Sequence, residues 1–171
     1  MEISVSHRLT LVLGGARSGK SVHAEALIAA LPPPWTYIAT AQAFDDEMRE
    51  RITLHRARRD ARWRTVDAPL ALAEALRVAE GPVLVDCLTL WLTNLMLGEH
   101  AIDEATADLE TALDARPAPT VLVGNEVGLG IVPDNALARR FRDEAGRLHQ
   151  RLARRADHVV FMVAGLPMVV K

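Results

Sequence analysis

Short, almost unbroken apolar runs alternate with helix-patterned stretches along the whole 171-residue chain. Residues 8–13, 35–39, 83–85, 120–123 and 158–163 are rich in β-branched side chains and bounded by Gly, Pro or Asp, as buried strands are. Residues 63–66 read as a further short strand. Helical patterns fill 20–31, 46–61, 70–79, 88–97, 103–115 and 134–155. In the last of these, Leu137, Phe141, Ala145, Leu148 and Leu152 recur at helical spacing, and Asp134 after Pro133 is expected to cap the helix. A strand that is apolar at every position needs cover on both faces. The pattern therefore predicts an α/β fold, a mostly parallel central sheet flanked by helices. With no internal repeat and no long linker, residues 1–171 read as one domain.

The first strand runs into Gly14-Gly15-Ala16-Arg17-Ser18-Gly19-Lys20-Ser21, and a helix follows at once. This is the G-x-x-x-x-G-K-[ST] pattern in a strand–loop–helix setting. Gly14 and Gly19 let the backbone turn tightly, so that successive N–H groups face one anion. The helix behind them adds its positive N-terminal end. Lys20 is expected to reach the β- and γ-phosphates of a nucleoside triphosphate, and the Ser21 hydroxyl to ligate Mg²⁺. A second metal ligand should stand at the end of another strand. Val83-Leu84-Val85-Asp86 makes Asp86 the candidate, although an Asp ahead of a helix also serves as a cap. Cys87 beside it reads as a small buried residue.

Composition enters through the cations. All but two of the 20 Lys and Arg residues are Arg, the exceptions being Lys20 and Lys171. Residues 49–64 and 139–155 each hold seven Arg against two acids, whereas 65–138 hold twelve acids and two Arg. Such blocks are solvated helix faces in the ordinary case, or sites for an anionic ligand. In the first block Arg51, His55 and Arg59 recur at i, i+4 and i+8, one stripe of a helix. Guanidinium neighbours disfavour imidazolium and would leave a neutral ring facing phosphates that the arginines hold. Attack by that ring on phosphorus would give a phosphoramidate. The residues alone favour the plainer reading, a solvated histidine on a charged helix. His7, His23, His100, His149 and His158 show no comparable arrangement and read as structural or exposed. The second block is expected on the solvent face of the last helix, and Lys171 has no assigned task.

Residues 124–133 follow the fifth strand, where ligands of open α/β sheets bind. Asn125 and Glu126 place an amide and a carboxylate there, candidates for a substrate or catalytic role over a mere connection. A net charge of −2 counts against a general nucleic-acid or membrane-surface binder, so neither partner is expected. The single cysteine excludes an internal disulfide and a cysteine-rich zinc site. No apolar run approaches the ~20 residues of a membrane span. A cytoplasmic protein is expected.

Taken together, GGARSGKS at 14–21, YIATAQ at 37–42, DDEMRERI at 45–52 with His55 and Arg56, WRT at 63–65, DCLTLWLTNL at 86–95, NEVGLGIVP at 125–133 and RFRDEAG at 140–146 form an ordered set across nearly the whole chain. In this the chain resembles the bifunctional adenosylcobinamide kinase/adenosylcobinamide-phosphate guanylyltransferases of cobalamin biosynthesis. The resemblance implies a RecA-like phosphate-loop fold and a homotrimer. It implies phosphorylation of adenosylcobinamide, a corrinoid, by ATP or GTP, followed by transfer of GMP from GTP. A histidine carries the GMP in that family, and the matching position is His55. By the same resemblance the GTP site is lined by Gly14, Gly15, Ala16, Arg17, Ser18, Gly19, Lys20, Ser21, Thr40, Ala41, Gln42, Arg56, Ala57, Arg58, Arg59, Asp67 and Asp86. Two positions depart from the family pattern: Asp67 stands where Glu is frequent, and His149 where Asn is usual. The rival readings are a phosphate-loop kinase for another small metabolite, with His55 a bystander, and a RecA-like, nucleic-acid-stimulated ATPase. The small size, acidic balance and lack of a Lys- and aromatic-rich loop count against the latter.

Overall fold

The computed structural model describes residues 7–57 and 59–171, apart from the side chains of Arg51 and His55. Its elements are β1 (Leu9–Gly14), α1 (Lys20–Ala29), β2 (Trp35–Ala39), α2 (Asp46–Ala57), β3 (Trp63–Asp67), α3 (Leu72–Val78), β4 (Val83–Asp86), α4 (Leu88–Leu97), α5 (Ile102–Ala115), β5 (Thr120–Asn125), α6 (Ala136–Arg155), β6 (His158–Val163) and β7 (Leu166–Val169). Among the described residues the strands form one sheet in the order β3-β2-β4-β5-β1-β6-β7. Every neighbouring pair is parallel except β6 with β7.

Alternate residues of the central strands feed two separate cores, which is why these strands are apolar at nearly every position. Leu9 and Leu11 of β1, Val83 and Val85 of β4 and Leu122 of β5 pack with α3, α4, α5 and α6. Val12, Leu84, Val121 and Val123 point the other way, onto Ala24, Leu27 and Ile28 of α1. Both faces are dry. The carboxyl ends of β1, β2, β4 and β5 are thereby brought to one edge, where Gly14 pairs with Asn125 and Ala39 with Asp86.

Five boundaries or features differ from the sequence expectation. The helix expected over 46–61 ends at Ala57, because the Asp60 carboxylate takes the Arg62 N–H at 2.9 Å and offers the backbone a turn instead. The last helix is capped by Asn135 rather than Asp134: the Asn135 side chain accepts from the Ala138 N–H at 2.7 Å. Strand β7 was not expected. It is joined to β6 through Ala164 and Gly165, both at positive φ, and Pro167 within it weakens any strand signal. The second arginine block is not merely solvated. Arg151 makes a two-pronged bridge to Glu110 at 2.9 and 2.7 Å, and Arg155 pairs with Asp114, so the block ties α6 to the acidic α5. Lys171 has a task as well. Its ammonium donates to the carbonyls of Ala156, Ala153 and Arg154 at 2.6–3.2 Å, capping the negative end of α6.

Arg116, 6% exposed, does similar work for α3. It donates to the carbonyls of Leu76, Ala79 and Gly81 at 2.6–2.7 Å and to the Thr120 hydroxyl at 3.1 Å. Burial pulls its basicity below that of an ordinary guanidinium.

Candidate active site

The loop between β1 and α1 is shaped by its glycines. A Cβ on Gly14 would displace Ser18 Oγ and crowd Met162, whose Cβ and carbonyl oxygen would each lie 3.1 Å away. Gly19 has a φ of +90° and lies against Gly165 of the β6–β7 turn, whose N–H donates to the Ser18 carbonyl at 3.0 Å. Ala16 and Arg17 are exposed at the tip, and Ser18 Oγ is buried without a hydrogen-bond partner among the described residues. Lys20 opens α1, is 9% exposed, and donates to the Gly15 carbonyl at 2.9 Å. Ser21 follows it.

Asp86, at the end of β4, joins this loop to the next strand. Its Oδ2 accepts from the Ser21 hydroxyl and from the Tyr37 phenol, each at 2.9 Å. Strand β5 lies between β4 and β1, yet the carboxylate still reaches the start of α1. A hydroxyl and a carboxylate in contact beside a phosphate loop are the hard oxygen donors that suit Mg²⁺, so the residues present fit that ion. Burial, and the neighbouring Asp86 charge, push the Tyr37 phenol far above its usual range and keep it a donor. Cys87 is buried, and burial likewise pushes its thiol up, as a small packed residue rather than a nucleophile.

A cleft of about 290 Å³ opens beside Asp86. Tyr37, Ala41, Arg56, Arg59, Asp86 and Asn125 are among its lining residues. Arg56 pairs with Asp67, at the end of β3, at 2.6 Å. Arg59 lies over the Tyr37 ring, its guanidinium carbon 3.6 Å from the ring centroid. It follows the end of α2, so the expected stripe does not run on one helix through all three residues. The backbone of His55 belongs to α2, the helix that also brings Met48 and Ile52 to the cleft. The side chains of His55 and Arg51, and the whole of Arg58, lie outside the described residues.

The remaining expected residues divide. Thr40 is fully buried, and its hydroxyl donates to the Cys87 carbonyl at 2.7 Å while accepting from the Cys87 N–H at 2.9 Å. It clamps β2 to the turn after Asp86. Gln42 is half-buried in the segment after β2, and Ala57 is exposed at the end of α2. Asn125 donates to the Thr89 hydroxyl at 2.8 Å and lines the cleft. The Glu126 N–H donates to the Gly14 carbonyl at 2.9 Å, tying the two loops, while its carboxylate accepts from the Gly128 N–H at 2.6 Å. Tyr37 and Asn94 were not singled out from sequence. Asn94 donates to the Thr40 and Pro69 carbonyls at 2.8 and 2.9 Å and so holds two strand-end turns together. Their only sequence signal is membership of the ordered segments YIATAQ and DCLTLWLTNL.

Fold and site define a phosphate-loop nucleotide-binding protein on a mostly parallel sheet. The solved VirB11 ATPase of the Brucella suis type IV secretion system, in complex with sulphate, shares the fold, with a TM-score of 0.50 over 96% of this chain and 14% identity. This chain spans 47% of that one, and the likeness concerns the fold alone. The model of the cobinamide kinase/cobinamide phosphate guanyltransferase family matches residues 10–170. The bifunctional adenosylcobalamin biosynthesis protein CobP of Pseudomonas aeruginosa is 54% identical over 166 residues, covering 94% of this chain and 96% of that protein. The corresponding CobU of Salmonella typhimurium is 45% identical over 181 residues, covering 95% and 99%. The chain belongs to the cobinamide kinase/cobinamide phosphate guanyltransferase family.

Proposed function

We propose that one nucleotide site serves two successive transfers to a corrinoid. In the first, the aminopropanol hydroxyl of adenosylcobinamide attacks the γ-phosphorus of ATP or GTP. The bond to the bridging oxygen breaks, the hydroxyl proton is lost, and a phosphate ester and a nucleoside diphosphate result. In the second, a nitrogen of neutral His55 attacks the α-phosphorus of GTP and pyrophosphate leaves. The phosphate of adenosylcobinamide phosphate then displaces the histidine from that phosphorus, giving adenosylcobinamide-GDP and free His55.

Asp86, Arg56 and Arg59 line one strand-end cleft, and Asp86 is hydrogen-bonded to Ser21 of the loop that carries Lys20; that arrangement carries this reading. The backbone N–H groups of 14–21 cradle phosphates, and Lys20 supplies a compact positive charge. Ser21 and Asp86 would hold Mg²⁺, which neutralises phosphate charge when bound. Arg56 and Arg59 stand where a second set of phosphate oxygens is to be held. Asn125 and Glu126 border the acceptor side. An exposed apolar flank, with Leu166 at 70%, Met168 at 52% and Val169 at 65% exposure, is suited to burial against another surface; that the assembly is a homotrimer rests on the family resemblance. No helix among the described residues is long and apolar enough to cross a membrane. We place the protein in the cytoplasm, the reducing compartment that a single cysteine suits.

The test is covalent labelling. With Mg²⁺ and α-labelled GTP the protein is expected to take up an acid-labile, base-stable label that His55→Ala abolishes. An unlabelled wild type, or equal labelling of the variant, refutes the guanylyl-histidine step.

A further inference from the structure

We propose that Tyr37 is a positioning residue for both halves of the nucleotide site: its ring face holds Arg59 and its hydroxyl holds Asp86. The proposal rests on the reading of this cleft as the nucleotide site. Arg56 and Arg59 line this cleft and Arg62 follows them in sequence, and the three are held differently. Arg56 is engaged by the Asp67 carboxylate, and Arg62 by Asp60. Arg59 lies over the Tyr37 ring at 3.6 Å, and its Nε and Nη1 are buried with no hydrogen-bond partner among the described residues. Buried donors without acceptors are costly, and an anion in the cleft would relieve that cost.

The way Arg59 is held decides what it can bind. A carboxylate would occupy the in-plane N–H donors of the guanidinium and compete with phosphate for them. An aromatic face attracts the same cation from above and leaves the in-plane donors free. Tyr37 is suited to this because it cannot turn away. It is 5% exposed, the Trp63 ring meets it edge-on at 6.2 Å, and its hydroxyl is fixed on Asp86 Oδ2 at 2.9 Å. That last bond, beside the one from Ser21, orients the carboxylate. One side chain thus sets the guanidinium and the metal-side carboxylate relative to each other.

The two contacts separate by substitution. Tyr37→Phe keeps the platform and the volume but loses the hydroxyl. At saturating Mg²⁺ its affinity for GTP, measured by calorimetry, is expected to stay near wild type. The Mg²⁺ concentration that half-saturates GTP binding should rise by about tenfold. Tyr37→Leu also loses the platform, and its GTP affinity at saturating Mg²⁺ should fall by about tenfold, as for Arg59→Leu. The double variant should bind no worse than either single one. An unmoved Mg²⁺ requirement in Tyr37→Phe, wild-type affinity in Tyr37→Leu, or additive losses in the double variant would overturn the proposal. A wild type that binds no GTP would instead remove the nucleotide-site reading, and the proposal with it.

Discussion

His149 lies against Gly124, close enough that a Cβ on the glycine would come within 2.8 Å of its Nε2. The histidine sits on α6, 7% exposed, and Nε2 has no hydrogen-bond partner among the described residues. Burial lowers its pKa below the ordinary 6.5, with the Glu126 charge pulling weakly the other way. The folded protein therefore holds this ring neutral, while the unfolded chain binds a proton at ordinary pH values for histidine. Stability is full above the unfolded pKa of 6.5 and falls as pH drops through 6.5 toward the lowered folded value. Urea unfolding at about pH 8 and about pH 5.5 checks this: His149→Asn should lose less stability between the two than wild type. His23 is shifted in the same direction by burial and His158, but it is present in both proteins and cancels from the comparison.

The same contact makes Gly124 intolerant of a side chain. In Gly124→Ala the new methyl meets His149 Nε2 at 2.8 Å and Leu13 Cδ2 at 3.0 Å. Overpacking of this kind is expected to cost about 1–3 kcal/mol in chemical denaturation. Adding His149→Ala should recover part of it, because the space then opens beside the methyl.

Contiguous features were legible in the sequence and remote ones were not. The phosphate loop could be read because Gly14, Gly19, Lys20 and Ser21 are consecutive in chain and in space. The central strands could be read because burial on both faces makes each an apolar run. Tyr37 looked like one more residue of such a run. Its partner Asp86 is 49 positions away, brought near by the β2–β4 register, which no local pattern states. The arginine stripe misled for a local reason. Helical spacing runs on through Arg59, but α2 ends at Ala57, before that residue, and its guanidinium lies over Tyr37. Strand β7 was lost to Pro167 and a short, exposed, edge position.

Arg116 shows what a buried charge does when four of its five N–H donors are used. It serves three carbonyls and a hydroxyl at the end of α3 and the start of β5. Truncation would leave those carbonyls facing a void that water cannot easily satisfy. Arg116→Ala is expected to lower unfolding free energy by about 3 kcal/mol, with nucleotide affinity of the folded fraction unchanged. Thermal or urea unfolding beside GTP calorimetry separates the two effects.

Lys20 allows the sharpest prediction about chemistry, because the rest of the chain uses arginine almost everywhere else. Its ammonium is 9% exposed and bonds a carbonyl of its own loop, Gly15, rather than a partner across the fold. Removing it should therefore leave the melting temperature nearly unchanged. Lys20→Ala is expected to lower the kinase rate by about 10²-fold or more, since the positive charge on the β- and γ-phosphates is lost. Lys20→Arg should not rescue it. A planar guanidinium spreads its charge over a fork wider than the loop that encloses a compact ammonium. Initial rates of phosphate transfer from ATP or GTP to cobinamide, measured for wild type and both variants, decide the matter. Retained activity in Lys20→Ala refutes the phosphate-loop assignment, and full rescue by Arg would show that charge alone suffices there.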